Sequence, residues 1–85
     1  MYKVIATVKS VKGECAAKHR VGDKFVIDAT TPKGMCASAY YAIFPAARVL
    51  RFGGVLPWEK NKGLAHIACP DPDNPVVFEL RRIRR

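Results

Sequence analysis

Residues 36–54 read CASAYYAIFPAARVLRFGG and contain the chain's only helical periodicity. Their apolar residues recur at spacings of three and four, which places them on one face of a helix. We expect this face to cover a sheet and to leave Arg48 and Arg51 mainly solvated. The apolar positions are Tyr40, Ile43, Phe44, Ala47 and Leu50.

The ends of this helix are marked by residue types that favour helix termini. Ser38 or Thr31 is a suitable N-terminal cap, and the glycine pair at 53–54 is a strong stop. Pro45 removes one hydrogen bond from the interior of a helix, at a cost of about 3 kcal/mol. The sequence therefore predicts a kink at Pro45, or two short helices of which Pro45 opens the second.

Strand-like segments flank the helix on both sides. Residues 2–11 alternate in the way a half-buried strand requires, and a short strand is predicted at 24–28. Two more strands are predicted at 64–69 and 76–83, separated by a proline-rich loop. The order β-β-α-β-β predicts one α+β domain spanning residues 1–85. Its small four-stranded sheet would be antiparallel or mixed, with one kinked helix packed on one face.

The composition is strongly basic. Fifteen Lys and Arg residues oppose seven Asp and Glu residues, which gives a formal net charge of +8. Such a surplus attracts phosphates and acidic partners, so a basic module that binds nucleic acid, another polyanion or an acidic protein is one interpretation. The alternative is a solvated basic edge that prevents sheets from aggregating. The candidate residues are Arg48, Arg51, Arg81, Arg82, Arg84 and Arg85.

The sequence also indicates a compartment. The N-terminal segment alternates like a strand and lacks the features of a signal peptide, and the apolar segments are too short to cross a bilayer. Three cysteines are an odd set for a secreted disulfide scaffold of this size. We therefore expect a cytoplasmic protein without a membrane partner. Its small core leaves homo-oligomerisation open, because a partner subunit would add buried surface.

The cysteines and one histidine form the sharpest candidate site. Cys15, His19, Cys36 and Cys69 lie at the ends or flanks of predicted elements, where separate segments can converge. Three thiolates and an imidazole would complete a tetrahedral zinc site, and iron–sulfur clusters also accept Cys and His ligands. The chain has no C-x-x-C pair, and free cysteines often serve as small buried hydrophobes. The leading interpretation is a small binding or accessory domain built around this set.

A cysteine-dependent enzyme is the third interpretation. Cys15 would use His19 as its base, with Asp23 or Glu14 orienting the imidazole. Alternatively, Cys36 at the helix N-terminus would have its thiolate favoured by the helix dipole. The spacing requires neither arrangement, so the sequence favours a non-enzymatic role and assigns no catalytic residue.

Three segments of the chain carry a family resemblance. They read VKGECAAKHRVGDKF, GMCASAYYAIFPAARVLRFGG and CPDPDNPVVFELRRI, at residues 11–25, 34–54 and 69–83. In this order they resemble a family of small, uncharacterised prokaryotic proteins of about this length. The resemblance implies that all three cysteines belong to the family's pattern. It also implies a glycine before the histidine, where this chain has Lys18, and it implies no activity.

Overall fold

The computed structural model describes residues 2–15 and 17–84. The strands form an antiparallel four-stranded sheet in the order β2-β1-β4-β3, with one helix packed on it. The predicted α+β fold is confirmed, and the sheet is antiparallel rather than mixed. Within the described residues, no helix has the length and apolar character needed to cross a membrane. The elements are β1 (Tyr2–Val11), β2 (Lys24–Ile27), α1 (Ala37–Arg51), β3 (Leu64–Ala68) and β4 (Val76–Arg84).

The core forms between α1 and the two central strands. In β1 the alternate residues Val4, Ala6 and Val8 are buried, as the alternation of the sequence predicts. Antiparallel pairing places Leu80 of β4 opposite Ala6 and Phe78 opposite Val8. These side chains are fully buried, so the paired strands β1 and β4 form the apolar sheet surface on which the helix packs.

The buried face of α1 differs from the predicted one. Ile43 and Leu50 are buried as expected, but Phe44 keeps 39% of its surface exposed and Arg51 keeps only 9%. The face is rotated because small alanine side chains let the helix approach the sheet, and the bulky Phe44 ring is left on the flank. The buried helix residues are Ala39, Ile43, Ala46, Ala47, Leu50 and Arg51.

Arg51 is buried because it has a partner on the preceding strand connection. Its Nη2 lies 3.2 Å from Oδ1 of Asp28, and its Nη1 donates to the Asp28 carbonyl at 3.0 Å. Asp28 directly follows β2, so this ion pair ties the last turn of the helix to the edge strand. The prediction that Arg51 is mainly solvated is wrong.

Pro45 lies inside α1 without dividing it. The prediction of two short helices is therefore wrong. A proline at this position removes the hydrogen bond that would end on the carbonyl of Tyr41. Pro45 and Tyr41 are both exposed, so water can hydrate the carbonyl that the proline leaves without its helical partner.

The helix ends differ in part from the prediction. Cys36 occupies the N-cap position, and no side-chain hydrogen bond caps this end of the described helix. Neither Ser38 nor Thr31 is therefore the cap. At the other end Gly53 has a φ of 85° and its N–H donates to the Leu50 carbonyl at 3.1 Å, which confirms the predicted glycine stop.

Candidate functional site

A pocket of about 220 Å³ lies at one end of the sheet. It forms where the β1–β2 connection, the first turn of α1 and the β3–β4 connection meet. Every cysteine of the chain lines it, together with the buried histidine. The residues used below are Cys15, His19, Cys36, Ser38, Cys69 and Asn74.

The sheet topology explains why distant residues meet at this pocket. Val11 and Val76 form the last pair of β1 and β4, so the connections next to both strands leave the sheet at the same end. The N–H of Lys12 donates to the Pro75 carbonyl at 3.0 Å, which continues the contact beyond the strands. The structure thus brings Cys15 and Cys69 to the same edge.

Asn74 joins the two connections and was not singled out from the sequence. Its Oδ1 accepts a hydrogen bond from the Glu14 N–H at 2.9 Å, next to Cys15. Asp71 Oδ1 accepts from the N–H groups of Asp73 and Asn74, at 3.0 and 3.1 Å, and so holds the loop in a turn. The D-x-D-N spacing at 71–74 is the sequence signal that could have identified this turn.

His19 serves as an internal hydrogen-bond acceptor. The side chain is buried, with its ring centroid 5.2 Å from that of Phe25 and 6.1 Å from that of Phe78. Its Nε2 accepts the backbone N–H of Cys36 at 3.1 Å. A neutral imidazole that accepts at Nε2 carries its proton on Nδ1. The Nε2 lone pair therefore positions the start of α1 in this arrangement, and it is engaged rather than directed at a metal or a thiol.

Lys18 supports this placement of His19 through an unusual backbone conformation. Its φ is 60°, in the left-handed region, and its N–H donates to the Cys15 carbonyl at 2.8 Å. The next residue, His19, lies in the core. Glycine adopts this conformation without steric strain.

We expect Lys18→Gly to stabilise the protein. The substitution removes the steric strain of a left-handed non-glycine residue, which is about 1 kcal/mol, and part of this gain is offset by the greater freedom of glycine when unfolded. The melting temperature should rise by a few degrees. The matched control is Lys33→Gly, because Lys33 is an exposed loop residue outside the left-handed region. Its melting temperature should stay constant or fall, and an equal rise in both variants would contradict the strain argument.

The three thiols are free and half-buried, and each has a distinct environment. Cys69 Sγ accepts the Val76 N–H at 3.2 Å, while Cys36 stands at the N-terminus of α1. Cys15 begins the turn that leads to His19. Within the described residues, no three His, Cys, Asp or Glu side chains are grouped closely enough to hold a metal ion.

The candidate arginines that the structure describes lie in different surroundings. Arg51 is buried against Asp28, and Arg81 lies 3.5 Å from Glu79 on the sheet face opposite the helix. Arg48 and Arg84 are exposed on the helix side of the sheet, and Arg85 lies outside the described residues.

Arg82 has a structural role that the sequence did not reveal. Its Nη1 donates to the carbonyls of Leu50 and Gly54 at 3.1 and 2.8 Å, and its Nη2 donates to the Lys62 carbonyl at 3.1 Å. Two of these carbonyls belong to the C-terminal end of α1 or the turn after it, where a cation is favourable. This guanidinium therefore caps the helix from the neighbouring strand.

No protein-family model, curated protein or solved structure matches the chain.

Proposed function

We propose that the protein is a small binding domain and that its ligand occupies the pocket lined by Cys15, Cys36 and Cys69. The observation that supports this most strongly is the position of all three cysteines on one pocket. They come from three separate segments, 21 and 33 residues apart in sequence. Cysteines that only pack a core need not share a cavity open to solvent.

The chemistry of the lining indicates a sulfur-seeking ligand. Thiolates select soft metals, including zinc and the iron of iron–sulfur clusters. A single ion would have to draw the three thiols together, since no three His, Cys, Asp or Glu side chains of the described residues are grouped closely enough to hold one. A ligand of several atoms, such as a cluster, would instead extend between the thiols. Sulfur ligation of zinc or an iron–sulfur cluster is therefore the proposed function.

Two geometric features favour binding over cysteine catalysis. Nε2 of His19 already accepts the Cys36 N–H, so it does not serve as a base for the Cys15 thiol without losing that bond. The Asp23 carboxylate, a predicted orienting group, accepts the N–H of Arg20 at 2.9 Å. Both hydrogen bonds argue against a dyad of Cys15 and His19.

We expect protein purified without oxygen to retain metal that depends on the cysteines. Zinc, iron and acid-labile sulfide should be measured, and the melting temperature should be recorded before and after chelation. Chelation should lower it, because metal binding to the folded state contributes folding free energy. The triple variant Cys15→Ser/Cys36→Ser/Cys69→Ser should retain no metal.

The control is His66→Ala, which removes the exposed histidine that contacts Glu59 and does not line the pocket. It should leave the metal content unchanged. The opposite result would be a wild-type protein that contains no metal after purification without oxygen. If its melting temperature also stays constant on addition of zinc or chelator, the thiols serve packing alone.

A further inference from the structure

The outer face of α1 is unusually aromatic for a solvent-facing surface. Four of the eight aromatic residues of the chain keep more than a third of their surface exposed. Tyr41, Phe44 and Phe52 lie on one face of α1 and its C-cap, and Trp58 lies in the loop after the helix. We call the exposed residues Tyr41, Phe44, Arg48 and Phe52 the aromatic face; Trp58 lies on another side of the helix, beside Pro45 and Val49. Patches of this kind on a small protein mark interaction surfaces.

An arginine lies between two of these rings. The Cζ atom of Arg48 is 4.7 Å from the centroid of the Phe52 ring and 5.7 Å from that of Phe44. Stacking on the rings holds the long side chain in place while its guanidinium remains exposed. The surface therefore presents flat apolar rings beside a fixed positive charge.

The segment that carries the aromatic face contains basic residues and no acidic ones. Residues 29–58 contain no Asp or Glu, and the flanking acids, Asp28 and Glu59, contact Arg51 and His66 respectively. The negative end of the helix dipole, which would repel a phosphate, is covered by Arg82 through its bonds to the helix carbonyls. The surface is thus suited to an anionic partner.

The basic surface continues from the helix onto the sheet. The Cζ atom of Arg82 lies 4.8 Å from the centroid of the Tyr2 ring, and Arg84 pairs with Tyr2 across the strands. A Cβ on Gly53 would be 3.6 Å from the Tyr2 ring, so this second ring and arginine pair adjoins the C-terminal end of α1. A chain crossing the face would meet alternating rings and guanidinium groups.

We propose that the aromatic face binds single-stranded nucleic acid. Proteins that bind single strands combine a positive track for the phosphates with aromatic side chains on which unpaired bases stack. The bases of a duplex are already stacked on one another, so exposed rings favour the single strand. This site lies on the outer side of α1 and uses none of the pocket cysteines. It also differs from the set of arginines predicted from the sequence, because Arg51 is buried against Asp28 and Arg81 lies on the opposite face of the sheet.

The test is fluorescence anisotropy of a labelled mixed-sequence oligonucleotide of about 12 nucleotides, as RNA, DNA and duplex. Single strands should bind at least about tenfold more tightly than the duplex, with affinity falling as salt rises. Phe52→Leu should weaken binding about tenfold through loss of a stacking ring, within the range measured for single bases. Arg48→Ala should weaken binding severalfold and reduce the salt slope by about 0.7.

The matched control is Arg81→Ala, which removes the same charge from the opposite face of the sheet. It should change single-strand affinity less than twofold. Circular dichroism should show each variant folded at the assay temperature. Three results would overturn the proposal: equal losses in Arg48→Ala and Arg81→Ala, a duplex bound as tightly as the single strand, or no binding. Self-association that Phe52→Leu abolishes, without oligonucleotide binding, would assign the face to a second copy of this chain.

Discussion

Ile43→Asp should leave no folded protein at room temperature. Ile43 is fully buried between α1 and the sheet, and the substitution would place a carboxylate there among apolar side chains. Burying an unpaired charge costs several kcal/mol, comparable to the entire stability of about 4–13 kcal/mol expected for a chain of this length. Circular dichroism and the dispersion of the amide NMR spectrum would measure the loss.

The matched variant is Phe44→Asp, one position further along the helix. Phe44 is partly exposed, and its main contacts are with Tyr40, at 5.5 Å between ring centroids, and with Arg48. This variant should fold and lose about 1–2 kcal/mol of unfolding free energy. The milder Ile43→Ala should lose about 2–4 kcal/mol, which keeps the comparison quantitative. If Phe44→Asp unfolds the protein while Ile43→Asp does not, the buried face of α1 is misassigned.

The difference between Ile43 and Phe44 illustrates what periodicity can predict. Spacing places both residues on one broad face, and their hydrophobicity is similar. The choice between them depends on how closely the helix approaches the sheet, and three buried alanines, Ala39, Ala46 and Ala47, decide that distance. Alanine carries little weight in a hydrophobic pattern, so the rotation of the helix was not predictable from the pattern. The strands had no such ambiguity, because a period of two leaves only two faces.

The candidate site also has a part that the sequence could predict and a part that it could not. Cysteines at the ends of predicted elements suggested that Cys15, Cys36 and Cys69 could meet at one edge, and the structure places them on one pocket. The hydrogen bond from the Cys36 N–H to His19 depends on a turn whose residue Lys18 is left-handed, a conformation that lysine seldom adopts. Motif analysis does not show backbone donors, so nothing in the sequence indicated that the Cys36 N–H would bond to His19.

The burial of Arg51 could not be predicted for a different reason. A sequence shows charge but does not show which charges have partners. Arg51 and Arg48 are three residues apart on the same helix, yet one is buried with a carboxylate and the other is stacked between exposed rings. The partner of Arg51 lies 23 residues earlier, after a short edge strand, and only the tertiary fold brings them together.

Arg51→Ala should lower the unfolding free energy by about 2–3 kcal/mol. The substitution removes two polar contacts with Asp28 and leaves that half-buried carboxylate without this cation. Loss of one partner from a fully buried pair costs about 3–5 kcal/mol, and the partial exposure of Asp28 reduces the expected effect. Urea denaturation of the two proteins would measure it. Arg48→Ala, on the exposed side of the same helix, should lose less than about 1 kcal/mol.

A double-mutant cycle separates the ion pair from the packing of the Arg51 side chain. Asp28→Ala removes the carboxylate, and the double variant Asp28→Ala/Arg51→Ala removes both partners. If the ion pair is the dominant interaction, the double variant should lose less unfolding free energy than the two single variants lose together. The difference, which is the coupling free energy, should be about 1–3 kcal/mol. The coupling should change little with added salt, because a pair shielded by protein is poorly screened. Additive losses would instead show that Arg51 stabilises the protein by its burial and by the contact of its guanidinium with the Phe52 ring, whose centroid is 5.8 Å from Cζ, and not through the ion pair.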